Sequence, residues 1–163
     1  NGFVQYEISN WALKHDSHDY RCTHNLQYWR NLDYLGIGPG AHSFVNGERW
    51  SNVDAIPEYI EKIRKIPEND GFQHGAIKDS YQLSQLDIIK ETMMMGLRLT
   101  QSGIHIEQIN RRFSIDLCEI YARQIEKLMH LNLIEVLQVH NSSYIRLTRT
   151  GRMLGNQVFL EFI

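Results

Sequence analysis

Leu133-Ile134-Glu135-Val136 and Tyr144-Ile145-Arg146-Leu147 read as two strands joined across His140-Asn141-Ser142-Ser143. Apolar and polar residues alternate on either side of a polar, turn-forming centre, the pattern of a half-buried hairpin. On the N-terminal side of this hairpin the apolar period changes from two to between three and four. Leu117, Ile120, Tyr121, Ile125 and Leu128 form one stripe, with Ser114 placed to cap it, and Ile104 to Arg112 predicts a shorter helix before it. Further back, Leu83, Leu86, Ile89, Met93, Met94 and Leu97 predict an amphipathic helix from Ser80 to Leu99. After the hairpin, Thr148 can cap a last helix that turns Leu154, Val158 and Leu160 inward. Three helices, a hairpin and a closing helix make a winged-helix-like domain over 80–163. Met93-Met94-Met95 reads as buried packing at helical spacing, and Cys118 as a small core residue.

Pro67, Asn69-Asp70-Gly71 and Gly75 mark residues 67–79 as a linker. Before it, Phe3 to Ile8 reads as a buried strand ending in polar residues. Residues 13–24 read as a His-rich loop, and Tyr34-Leu35-Gly36-Ile37-Gly38-Pro39-Gly40 as a short strand entering a glycine turn. Asp54 is placed to cap a helix over Ile56–Ile63, with Pro57 in its first turn. The fold class is therefore α+β.

The 163 residues are 42% apolar and 22% charged, which suits a globular chain and excludes a disordered tail. No apolar run is long enough for a membrane span. Seventeen basic residues against nineteen acidic ones leave no excess for a general nucleic-acid binder. In the third helix Arg123 and Lys127 alternate with Glu119 and Glu126, a mixed solvated face, so no DNA partner is expected. Cys22 and Cys118 fit a cytoplasmic protein with reduced thiols, and two thiols are too few for an ordinary iron–sulfur cluster.

Four constellations could carry chemistry. His24-Asn25-Leu26-Gln27-Tyr28-Trp29, in a loop or at its edge, combines an imidazole, an amide able to orient it and a flat apolar wall. These are the parts of a haem or porphyrin site, or else a core lid. In Gly36-Ile37-Gly38-Pro39-Gly40-Ala41-His42-Ser43, alternate glycines let the backbone approach a ligand or simply make a tight turn. Glu7 and Asn10, at a strand end, either contact a substrate or cofactor or satisfy backbone groups of the next loop. His15, His18, Cys22 and His24 are also four N/S donors within ten positions, although their spacing fits no standard zinc finger.

Taken in order, Tyr6-Glu7-Ile8-Ser9-Asn10-Trp11-Ala12, His24-Asn25-x-x-Tyr28-Trp29 and Tyr34 to Ser43 resemble the radical-SAM proteins related to oxygen-independent coproporphyrinogen III oxidase. Gly96-Leu97-Arg98-Leu99 with Gly103-Ile104, and Leu147-Thr148-x-x-Gly151-Arg152, resemble that family's C-terminal domain. His-Asn-x-x-Tyr-Trp and the Gly-Ala-His-Ser ending point to the haem-chaperone branch. The resemblance implies that residues 1–66 are the end of a radical-SAM α/β barrel with a connecting helix. It implies haem bound by His24, Asn25, Tyr28 and Trp29, with His24 on the iron. It places Glu7, Asn10, Gly36, Gly38, Gly40 and His42 toward S-adenosylmethionine or porphyrin. The family's Cys-x-x-x-Cys-x-x-Cys motif is missing from these residues. The chain, which starts at Asn1 in a strand-like run, is therefore expected to be the C-terminal part of a longer protein. That protein would carry the [4Fe-4S] cluster and S-adenosylmethionine, and the part alone would be catalytically silent. The implied function is transfer of haem to an unidentified acceptor, a membrane-associated one included. The alternative is the oxidase of porphyrin biosynthesis, which decarboxylates coproporphyrinogen III.

Overall fold

The computed structural model describes residues 2–66 and 75–163. Most of the expected linker, residues 67–74, lies outside the described residues. The chain forms two compact units, Asn1–Asn31 with Ile89–Ile163, and Leu32–Ile88. This grouping runs across the segments expected from sequence, because the first thirty residues pack with the last seventy-five. Backbone hydrogen bonds account for it. The Ile8 N–H donates to the Arg98 carbonyl (3.1 Å), and the Thr100 N–H donates to the Tyr6 carbonyl (3.2 Å). The Asn31 amide donates to Thr92 Oγ1 (3.1 Å) and Arg112 donates to the Asn31 carbonyl (2.8 Å).

The N-terminal part of the first unit is an antiparallel hairpin of β1 (Phe3–Gln5) and β2 (Trp11–Leu13), followed by α1 (Thr23–Trp29). The strand stops at Gln5, short of the expected Ile8, because the Tyr6 N–H turns back to the Asn10 carbonyl (3.2 Å). Phe3 is 62% exposed, so this strand is not the buried one its apolar run suggests.

The second unit is a three-stranded antiparallel sheet of β3 (His42–Val45), β4 (Glu48–Asn52) and β5 (Ile77–Gln82), with α2 (Ile56–Arg64) between β4 and β5 in sequence. Phe44, Trp50 and Val53 are buried in it. Asp54 does not cap α2; its carboxylate is taken by Lys78 Nζ (2.7 Å), and Ala55 stands at the cap position.

The expected helix from Ser80 is corrected at its start. Residues 77–82 are strand, paired with β4 so that Tyr81 lies opposite Arg49 and Ser80 opposite Trp50. The helix, α3, runs Gln85–Gly96. Ser84 rather than Ser80 begins it, since Ser84 Oγ accepts from the Asp87 N–H (3.1 Å).

The rest of the first unit is β6 (Ile104–His105), α4 (Ile106–Phe113), α5 (Leu117–Ile120), α6 (Ala122–His130), β7 (Ile134–Val139), β8 (Ser142–Leu147), α7 (Arg149–Met153) and α8 (Gly155–Leu160). The strand order is β6-β8-β7, and the hairpin register sets Ile134 against Leu147 and Val136 against Ile145. Ser114 closes α4 in the left-handed conformation instead of opening the next helix. Asp116 does the capping, accepting from the Cys118 and Glu119 N–H groups (2.9 and 3.1 Å). The single stripe expected over 117–128 breaks at Tyr121 into α5 and α6. This leaves Ile120 exposed, and Cys118 is exposed as well. Met93, Leu97, Leu117, Leu128, Ile145, Leu147, Val158 and Phe162 form the core. Each such side chain contributes about 1.5–3 kcal/mol by leaving water.

Candidate functional site

His24-Asn25-Leu26-Gln27-Tyr28-Trp29 is helical, not a loop. Leu26 anchors α1 in a small cluster with Tyr6, Ala12 and Leu99, and Trp29 packs partly against it. Helical spacing then puts His24 and Tyr28 one turn apart on one face. Their rings meet edge-on, with centroids 4.9 Å apart and planes at 88°. His24 is exposed, so its imidazole is accessible, while Asn25, Tyr28 and Trp29 are half-buried. The Trp29 ring lies under the Arg98 guanidinium at 4.8 Å. This arrangement offers an imidazole ligand beside aromatic surface.

Glu7 is completely buried. Its carboxylate accepts from the Ser9 N–H (3.0 Å) and from the Asn10 side-chain amide, so it satisfies a backbone group of the loop that follows. Asn10 is exposed. Replacing Glu7 by Ala strands both donors. The expected loss is about 1–3 kcal/mol in a denaturant titration, with Glu7→Gln closer to wild type.

Gly36, Gly38, Gly40 and His42 belong to the second unit. The Gly36 N–H donates to Ser43 Oγ (2.9 Å), the Gly38 N–H to the Tyr59 hydroxyl (3.1 Å) and the Gly40 N–H to the Val53 carbonyl (2.9 Å). Asn52 donates from its amide to the Gly38 carbonyl (2.9 Å). Tyr59 and Asn52 are thus the supports of this loop, and sequence reading missed them because neither is near it in the chain. Gly38 has φ +108°, a conformation closed to most L side chains, and open space lies where a Cβ would be. His42 is exposed.

A cavity of about 630 Å³ in the first unit is lined by Tyr6, Ala12, Lys14, His15, His18 and Arg21 among others. Arg21 hydrogen bonds to Asp19 hold that carboxyl down at about 2. His15 and His18 both pack on Tyr20, with ring centroids 6.0 and 4.4 Å away. Among the described residues, no three His, Cys, Asp or Glu side chains gather to hold a metal ion. The set His15, His18, Cys22 and His24 is therefore not assembled. Cys22 and Cys118 are separate exposed thiols, a donor set that does not fit a [4Fe-4S] cluster.

Residues 83–154 match the family of the HemN C-terminal domain. The chain is 34% identical to the heme chaperone HemW of Bacillus subtilis and 30% identical to that of Lactococcus lactis. Both alignments cover all of this chain and 39% and 38% of those proteins. It is 32% identical to the mouse mitochondrial radical S-adenosyl methionine domain-containing protein 1, over 82% of this chain and 30% of that protein. The chain thus spans about two fifths of the length of the HemW proteins it matches. Among solved structures, coproporphyrinogen III oxidase (HemN) of Escherichia coli, a radical SAM enzyme, superposes with a TM-score of 0.62 at 16% identity. That superposition covers 99% of this chain and 37% of the enzyme, and it establishes a likeness of fold.

Proposed function

Since the chain belongs to the HemW branch of the radical-SAM HemN family, we propose that its protein binds haem as cargo and passes it to an acceptor protein. The observation that carries this reading is helix α1, which presents an accessible imidazole one turn from Tyr28 on a helix anchored by Leu26 and Trp29. In this reading His24 ligates the iron, Asn25 orients the imidazole, and Tyr28 and Trp29 pack the macrocycle. Glu7 shapes the neighbouring turn. Asn10, Gly36, Gly38, Gly40 and His42 face S-adenosylmethionine or porphyrin in the whole protein, and the open backbone at Gly38 supports a close approach.

The cluster and S-adenosylmethionine are assigned to parts of the protein outside this chain. Residues 1–66 are read as the end of a radical-SAM barrel and 80–163 as a winged-helix-like domain, a reading supported by helices α3, α4 and α6 followed by the β7–β8 hairpin. Cytoplasmic location is part of the same proposal. No helix among the described residues is long and apolar enough to cross a membrane. The likeness to HemN, at 16% identity, gives the oxidase reading no added weight.

The test is a titration of the intact protein with ferric haem, followed by the Soret band, beside His24→Ala. The variant is expected to bind at least tenfold more weakly with a displaced band. An unchanged spectrum and affinity would remove His24 from the ligand role.

A further inference from the structure

The motifs at 96–99 and 147–152 each carry an arginine, Arg98 and Arg152, to which haem ligation gives no task. Both side chains line one cavity of about 300 Å³ in the first unit, together with Ile8, Met153 and Phe159. The Arg98 guanidinium lies over the Trp29 ring at 4.8 Å and over the Phe159 ring at 5.4 Å. Its Nε is buried without a hydrogen-bond acceptor, and the same is true of Arg152 Nε and of Trp29 Nε1. The terminal nitrogens of Arg152 reach only neutral oxygens, at long range: Gln5 Oε1 at 3.5 Å and the Thr100 carbonyl at 3.4 Å. Among the described residues no carboxylate pairs with either arginine.

Buried donors are nearly always matched by acceptors. Here the Nε atoms of both arginines and the Trp29 indole N–H have no acceptor, and no carboxylate among the described residues neutralises either guanidinium. The planar fork of arginine fits a carboxylate with two parallel hydrogen bonds. The apolar wall of Ile8, Met153 and Phe159 suits a short methylene arm. The volume is at the bottom of the range of about 300–1,000 Å³ for small-molecule sites, so it holds an arm and not a macrocycle.

We propose that Arg98 and Arg152 form a carboxylate site, and that it takes a propionate arm of the tetrapyrrole whose ring packs at Tyr28 and Trp29. This rests on the haem reading and adds to it the group that recognises the ligand's acidic edge. Arg98 links the two places, since it touches Trp29 on one side and the cavity on the other.

The experiment titrates the intact protein with haem, with haem dimethyl ester and with metal-free protoporphyrin IX. Wild type is expected to bind haem about tenfold or more tightly than the ester. Arg98→Gln and Arg152→Gln are expected to lose about tenfold for haem and for protoporphyrin, and to leave the ester unchanged. Arg98→Lys should recover part of the loss. Equal affinity of wild type for haem and ester would overturn the proposal without any variant. Variants that weaken haem and ester alike would overturn it too, as a packing effect. Loss of iron ligation in His24→Ala with protoporphyrin binding retained supports the carboxylate site separately from the iron ligand. A wild type that takes up no tetrapyrrole overturns the haem reading itself, and this proposal with it.

Discussion

Gly151→Ala is expected to unfold the unit formed by Asn1–Asn31 and Ile89–Ile163. In an ordinary helix this substitution stabilises by nearly 1 kcal/mol, so the sign of the effect is the test. At this position α7 begins directly against the chain entering β7. A Cβ on residue 151 would stand 1.8 Å from the Leu133 carbonyl oxygen and 2.8 Å from its carbon. Neither side can yield. The Thr148 N–H donates to that carbonyl (3.0 Å), and Thr148 Oγ1 accepts from the Gly151 N–H (3.0 Å) and donates to the Asn132 carbonyl (2.7 Å). Leu133 leads into Ile134, which pairs with Leu147 in the hairpin. Relieving the clash breaks either the cap or the register. The cost is placed above about 4 kcal/mol, the range of the most severe point substitutions. A domain of ordinary stability has about 5–15 kcal/mol in total, so a cooperative denaturant transition should be lost or moved close to zero denaturant. A variant within about 1 kcal/mol of wild type would contradict this geometry.

The second large effect is expected from Phe162. Phe162→Ala should cost about 3–5 kcal/mol. Phe162 is 1% exposed and belongs to the main core. Its ring meets Tyr121 at the break between α5 and α6, with centroids 5.2 Å apart and planes at 71°. Removing it opens a cavity at the point where two short helices rely on a shared aromatic contact. Ile163, next in sequence and 63% exposed, supplies the control. Ile163→Ala should stay within about 0.5 kcal/mol in the same denaturant titration. Equal effects at the two positions would show that Phe162 is not seated as described.

Periodicity reads well where burial follows a single face. Ile89 and Met93 on α3, Leu97 just after it, and Ile145 and Leu147 on β8 are all buried as their spacing predicts. It reads poorly at helix starts. The helix expected from Ser80 begins after Ser84, whose Oγ accepts from the Asp87 N–H. The cap expected at Ser114 is made by Asp116, which accepts from the amides of Cys118 and Glu119. At the candidate site His24, Tyr28 and Trp29 were legible as residue types, but α1 was not legible as a helix. Its sequence has two aromatics, an Asn and no side-chain cap, and it is held instead by burial of Leu26.

By itself the sequence determined the helix–hairpin–helix order after residue 104, the residue types gathered at 24–29 and the family to which the chain belongs. These depend on local spacing and on residue type, which the chain carries wherever it folds. Only the tertiary structure decided that residues 2–31 pack with residues 89–163, and that Trp29, Arg98 and Phe159 stack together. Those partners are separated by some sixty residues or more. Their meeting rests on backbone donors such as those of Ile8 and Thr100 finding acceptors at the other end of the chain. Every residue but proline offers such a donor, so no sequence pattern names the acceptor.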